Sequence, residues 1–156
     1  MNTVTTNFTT LRTLQRQLAE LKGMEAQVGL FKDTAGRSAD KGRIADNPSL
    51  GFEHEFGNFP NRLPERSFLR MPLFLHLGPT MLTNGLDWLW MLRNFGARRM
   101  LGRLGVMAEE IIQEAFATRG WGAWPELRPA TIRRKGSTAI LIESAQLRKA
   151  VSSRVI

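Results

Sequence analysis

Leu11, Leu14, Leu18 and Leu21 recur at three- and four-residue steps, a spacing that lines one face of a helix. The pattern predicts about three turns, with Thr9 or Thr10 capping the start and Gly23 supplying a left-handed residue at the end. Ala26, Val28 and Leu30 then alternate with Gln27 and Gly29, so MEAQVGLFKD reads as a strand with one buried face. From Asp33 to Asn47 the chain is polar, contains glycine and has no period, which predicts a mobile loop or hairpin tip over 33–47. Asp46 or Asn47 can cap a short helix, PSLGFEHEF, that starts on Pro48 and ends at Gly57.

Farther along, NFPNRLPER holds two prolines and must be extended or turned, and SFLRMPLFLHL is a helical apolar stretch restricted by Pro72 and Pro79. Leu86 to Phe116 mixes apolar and basic residues at helical spacing, with glycines at 96, 102 and 105. Two helices joined near Gly102 are expected there. Trp88 and Trp90 flank Leu89, and one helical face cannot hold both. Either one meets a partner or loops of the same subunit cover both.

The segment from Trp121 to Pro129 is irregular, Thr131 to Lys135 is a basic turn or a helical turn, and Ala139 to Ile142 is a short strand. Ser144 can cap a helix through Lys149, and Val151 to Ile156 alternates like a closing strand. The elements add up to an α+β fold in one domain, 1–156. A small, mostly antiparallel sheet from 25–32, 139–142 and 151–156 carries the N-terminal helix and the central helices on one face. Within it, Pro64 fixes an extended entry and Phe68 and Leu69 enter the core.

Composition changes this picture little: 42% hydrophobic and 23% charged residues describe a chain that folds. The net charge of +8 favours acidic surfaces, nucleic acid or anionic membrane, but the cations are spread from Arg12 to Arg154 without a block. That spread reads as a solvated surface. Cysteine is absent, which excludes disulfides and thiolate metal sites and suits a reducing compartment. The N-terminal stretch has no apolar signal-like core, and Met71 to Met91 is interrupted by prolines, glycine, His76, Asn84 and Asp87, so a cytosolic product without a membrane span is expected.

Signals of catalysis are missing. There is no phosphate-cradling glycine loop, no dinucleotide fingerprint and no nucleophile elbow. Glu53, His54 and Glu55 are consecutive, so they point to different sides of a helix and read as surface or interface positions rather than a metal site. Glu109, Glu110 and Glu114 read as a solvated helix face. Neither an enzyme, a metal nor a cofactor is expected.

Two stretches carry a resemblance. In FEHEFGNFPNRLPERSFLR the residues are His54, Glu55, Phe56, Gly57, Pro64, Arg66, Phe68, Leu69 and Arg70; in WPELRPATIRRKGSTAILIESAQLR they include Trp124, Pro125, Leu127, Thr131, Ile132, Lys135, Gly136, Leu141, Ile142, Gln146, Leu147 and Arg148. Together with Leu104-Gly105 they resemble the tail-completion, or virion morphogenesis, proteins of tailed bacteriophages, which sit at the head-to-tail junction. The chain departs from that family where Glu143-Ser144-Ala145 replaces a common Asp-Thr-Gly, and without that glycine a different backbone is expected at the turn.

The resemblance implies a structural virion protein at the head-proximal end of the tail, present in the host cytoplasm before assembly. It also implies a hexameric ring of this chain, contacts with a connector, tail terminator or tail tube, contact with packaged DNA, and no membrane. Trp124 and Pro125 would wedge a loop on the core, Trp88, Trp90 and Trp124 would serve as partner-facing anchors, and Arg133, Arg134 and Lys135 would reach an acidic neighbour. The alternative is a basic nucleic-acid-binding protein, on Arg98-Arg99 and the 133–135 run.

Overall fold

Two strands from opposite ends of the chain pair antiparallel, β1 (Ala26–Leu30) against β2 (Val151–Val155), in a register that sets Ala26 opposite Val155 and Leu30 opposite Val151. Glu25 and Ile156 extend the ladder by exchanging both backbone hydrogen bonds. This computed structural model describes residues 8–33, 46–83, 87–136, 138 and 146–156. The described residues form seven helices: α1 (Phe8–Leu21) before β1 and, between the strands, α2 (Asn47–Phe56), α3 (Arg70–Thr83), α4 (Trp88–Phe95), α5 (Ala97–Thr118), α6 (Pro129–Lys135) and α7 (Gln146–Lys149). The architecture is α+β, as the patterns predict. The third strand expected at 139–142 and the cap expected from Ser144 lie outside the described residues, as do 34–45 of the expected mobile loop.

The last two residues of that loop, Asp46 and Asn47, are built into the start of α2. Asp46 is its N-cap and accepts the Ser49 N–H at 2.8 Å, Asn47 is buried, and Pro48 occupies the first turn. Hydrogen bonds from Ser49, side chain first and backbone second, hold the Asp46 carboxyl below the usual carboxylate range. Helix α1 starts earlier than expected, so Thr9 and Thr10 lie in its first turn instead of capping it. It closes through i→i−3 bonds at Lys22, Gly23 and Met24, and Gly23 has no left-handed backbone. Its leucine face is only partly covered: Leu11 and Leu18 are exposed, whereas Gln17 is buried and donates to the Arg93 carbonyl.

The break expected near Gly102 falls at Gly96. Its φ of 84° ends α4 and starts α5, while Gly102 and Gly105 continue inside the 22-residue α5. Gly105 is kept small by packing, because a Cβ there would stand 2.6 Å from Ser153 Oγ on β2. Helix α5 thus lies directly on the sheet, and α3, α4 and α1 pack on α5. Phe68, Ile112, Ala115, Phe116, Trp124, Leu147 and Val151 make the core between these layers.

Candidate functional site

The stretch from His54 to Arg70 folds back on itself around one buried carboxylate. Glu55, 4% exposed, accepts the hydroxyl of Ser67 and the backbone N–H groups of Phe68, Leu69 and Arg70, each N–H at 2.9 Å. Those donors fill about four lone-pair sites of a carboxylate, and the amides stand at the N-terminus of α3, where an anion opposes the helix dipole. Glu55 is therefore an internal cap, not the surface position expected of it. Burial put it out of reach of partners.

Gly57 makes the fold-back possible. It has φ 76°, and a Cβ on it would meet Glu65 N at 2.9 Å, Leu63 O at 3.0 Å and the Pro64 carbonyl carbon at 3.3 Å. A two-bond bridge between Asn58 and Leu63 then closes a hairpin, and the Arg66 N–H donates to the His54 carbonyl at 2.8 Å. Gly57→Ala is expected to cost about 2 kcal/mol or more, since both backbone strain and a backbone clash oppose it. Chemical denaturation would show it as a lower midpoint at unchanged slope.

The second resembling stretch docks onto the first. Arg66 is buried and its Nε and Nη2 donate to the Pro125 carbonyl at 3.0 and 2.9 Å, with Nη2 also 3.3 Å from the Glu126 carbonyl. Burial lowers the pKa of this guanidinium below its ordinary value, and the carbonyls compensate the desolvated cation. In return Trp124 Nε1 donates to the Ser67 carbonyl at 3.0 Å. Its ring meets Phe116 edge-on, 5.8 Å between centroids. At 7% exposure Trp124 is a core residue, which corrects its reading as a partner-facing anchor while bearing out the wedge. Phe68 and Leu147 lie in the same core, and Arg148 pins α7 to α5 by exchanging hydrogen bonds with Gln113.

Four successive positive-φ residues, Arg119 to Gly122, turn the chain from α5 toward Trp124 and stack Trp121 on His76 at 3.8 Å. A groove of about 310 Å³ opens beside that stack, lined by Met71, Pro72, Leu75, Trp121 and Pro125 among others. The other tryptophans divide as their spacing requires. Trp88 is half-buried, and its buried Nε1 meets no acceptor among the described residues; Trp90 is 48% exposed and rests edge-on against Phe95. Arg133 is exposed on α6, the helix that also carries positions 134 and 135.

Pattern reading missed a group of exposed aromatic side chains. Phe59 is 95% exposed at the hairpin, Phe74 79% exposed on α3, and Phe52 and Phe56 are also exposed and in contact at 4.8 Å. Arg70 bridges the two elements, its guanidinium 5.4 Å from the Phe56 ring and paired with Glu65 at 2.8 Å. Leu75 and Leu82 continue the face along α3, which carries no charged residue after Arg70. The low amphipathicity of RMPLFLHLGPTMLT was the available signal, because a helix apolar all round has more apolar surface than one core contact covers.

Among the described residues no three His, Asp or Glu side chains are placed to hold a metal ion, and no helix is long and apolar enough to cross a membrane. No protein-family model, curated protein or solved structure matches the chain.

Proposed function

We propose that this chain is a structural virion protein at the head-proximal end of a phage tail, which completes the tail and joins it to the head as a ring of its own copies. The observation that carries the reading is the apolar face on α2, the 58–63 hairpin and α3, a surface of the kind that marks protein association. The two stretches that resemble tail-completion proteins support it too, and in the fold they lie together, tied by Arg66, Trp124 and Leu147. Its action would be stoichiometric: aromatic side chains desolvate at contacts and charges around them set the register. Contact with connector, terminator or tube proteins follows from that position, and α6 is the element offered to an acidic neighbour.

Charge reversal on α6 tests the position in the virion. Arg133→Glu, Arg134→Glu and Lys135→Glu together are expected to abolish joining of tails to heads in a complementation assay, in a variant whose melting curve first establishes that it is folded. Joined particles at wild-type yield would refute docking through α6. Binding of the purified chain to short duplex DNA, falling several decades between low and moderate salt, would instead favour the nucleic-acid reading.

A further inference from the structure

Helix α3 is not the only element with an uncovered apolar face. Leu11 and Leu18 on α1, with Leu89, Trp90 and Phe95 on α4, form a second one. Helix α1 packs on both α4 and α5, and α3 packs on α5, so the two faces are carried by separate helices that meet at α5. Taking about 200 Å² for a whole aromatic side chain, the four exposed phenylalanines of the first face alone present on the order of 600 Å². Summed with Leu75 and Leu82, the exposed apolar area of these elements is of the same order as the roughly 800 Å² per partner of a stable interface.

We infer that the occupant of the α2/α3 face is the α1/α4 face of a second copy of this chain, in a head-to-tail contact. A two-fold pairing through either face would bury one and leave the other in water, whereas a head-to-tail contact covers both with one interface and repeats. Charge points the same way. On the elements of the α1/α4 face Arg16 is paired with Glu20 at 3.8 Å while Arg12 and Arg93 are exposed, so pairing that face with itself brings these two cations of each copy together. The elements of the α2/α3 face carry Arg62 and Arg70 against Glu53 and Glu65, with Arg70 paired to Glu65 at 2.8 Å, so that face presents no excess of cations to repel it. The groove beside Trp121 gives this face a concavity, and Leu89 and Trp90 give the other protruding side chains.

The assignment deepens the ring reading and rests on it for closure of the repeat. It is tested on the purified full chain by sedimentation, at about 100 μM, well above the micromolar dissociation constants that standard interfaces reach. Wild type is expected to form a closed oligomer. Phe59→Glu with Phe74→Glu, and separately Leu18→Glu with Leu89→Glu, are each expected to be monomeric, and their equimolar mixture is expected to give a one-to-one dimer and nothing larger. Melting curves first establish that both variants are folded; Leu89→Glu alone replaces the second pair where the pair lowers stability. Monomeric wild type, a variant that dimerises alone, or a mixture that stays monomeric would each overturn the inference. Tail joining scored in parallel separates the two ideas, because a chain that joins tails to heads without this contact keeps the proposed function and loses only the interface.

Discussion

Glu55→Ala is expected to lower the thermal midpoint by about 10 °C, the equivalent of roughly 3–5 kcal/mol in a chain of this size. The loss has three parts: Ser67, Phe68, Leu69 and Arg70 lose their shared acceptor, the α3 N-terminus loses its opposing charge, and a cavity opens where the side chain was. Buried donors left without partners cost about 1–3 kcal/mol each, but some of these can turn to solvent once the clasp loosens, which keeps the total below their sum. Glu55→Gln preserves shape and an acceptor oxygen yet faces the same N–H groups with an NH2, so it should lie between wild type and alanine. A loss under about 1 kcal/mol for alanine would mean that α3 does not depend on this carboxylate.

How much of this was legible depended on whether the signal was periodic. The spacing of Trp88 and Trp90 shows only that one helical face cannot hold both, not which of them turns inward, whereas the helix of 8–21 and the two paired strands follow from spacing and the helix of 47–56 from its cap. Glu55 did not, because Glu53, His54 and Glu55 differ only in direction around the helix, and the groups that select the third are amides 13 to 15 residues downstream. The joint at Gly96 was equally hidden. Three glycines sit in the same apolar and basic pattern, and only backbone φ at one and contact with Ser153 at another distinguish a joint from a close approach.

The basic excess also looks different once its members are placed. Arg66 is inside the protein, Arg148 is bound to Gln113, and Arg154 lies over the Phe31 ring at 4.0 Å while pairing with Asp33 at 3.4 Å. Arg70 serves the clasp and Arg98 reaches the Val155 carbonyl at 3.1 Å. Arg66 is out of reach of a phosphate, and the other four have part of their hydrogen-bonding capacity committed within the fold. Net charge therefore overstates what the chain offers to DNA, which is why the apolar faces weigh more in the functional reading than the +8.

Phe68→Ala is expected to cost about 3–5 kcal/mol, the range for deleting a fully buried aromatic ring. Phe68 stands 5.1 Å from the Phe116 ring in the core that also holds Ile112 and Leu147, and Gly51 of α2 approaches its edge, so little can collapse into the space. Its backbone N–H is one of the donors to Glu55, so ring and clasp position the same residue from two sides. The two alanine substitutions should then be non-additive: once Glu55 is gone, residues 67–70 are already displaced, and removing the ring costs less than it does in wild type. A double-mutant cycle by urea unfolding should show a coupling of at least about 0.5 kcal/mol. Strict additivity would separate core from clasp, and a Phe68→Ala loss under about 1 kcal/mol would place the ring on the surface with Phe59 and Phe74 rather than beneath them.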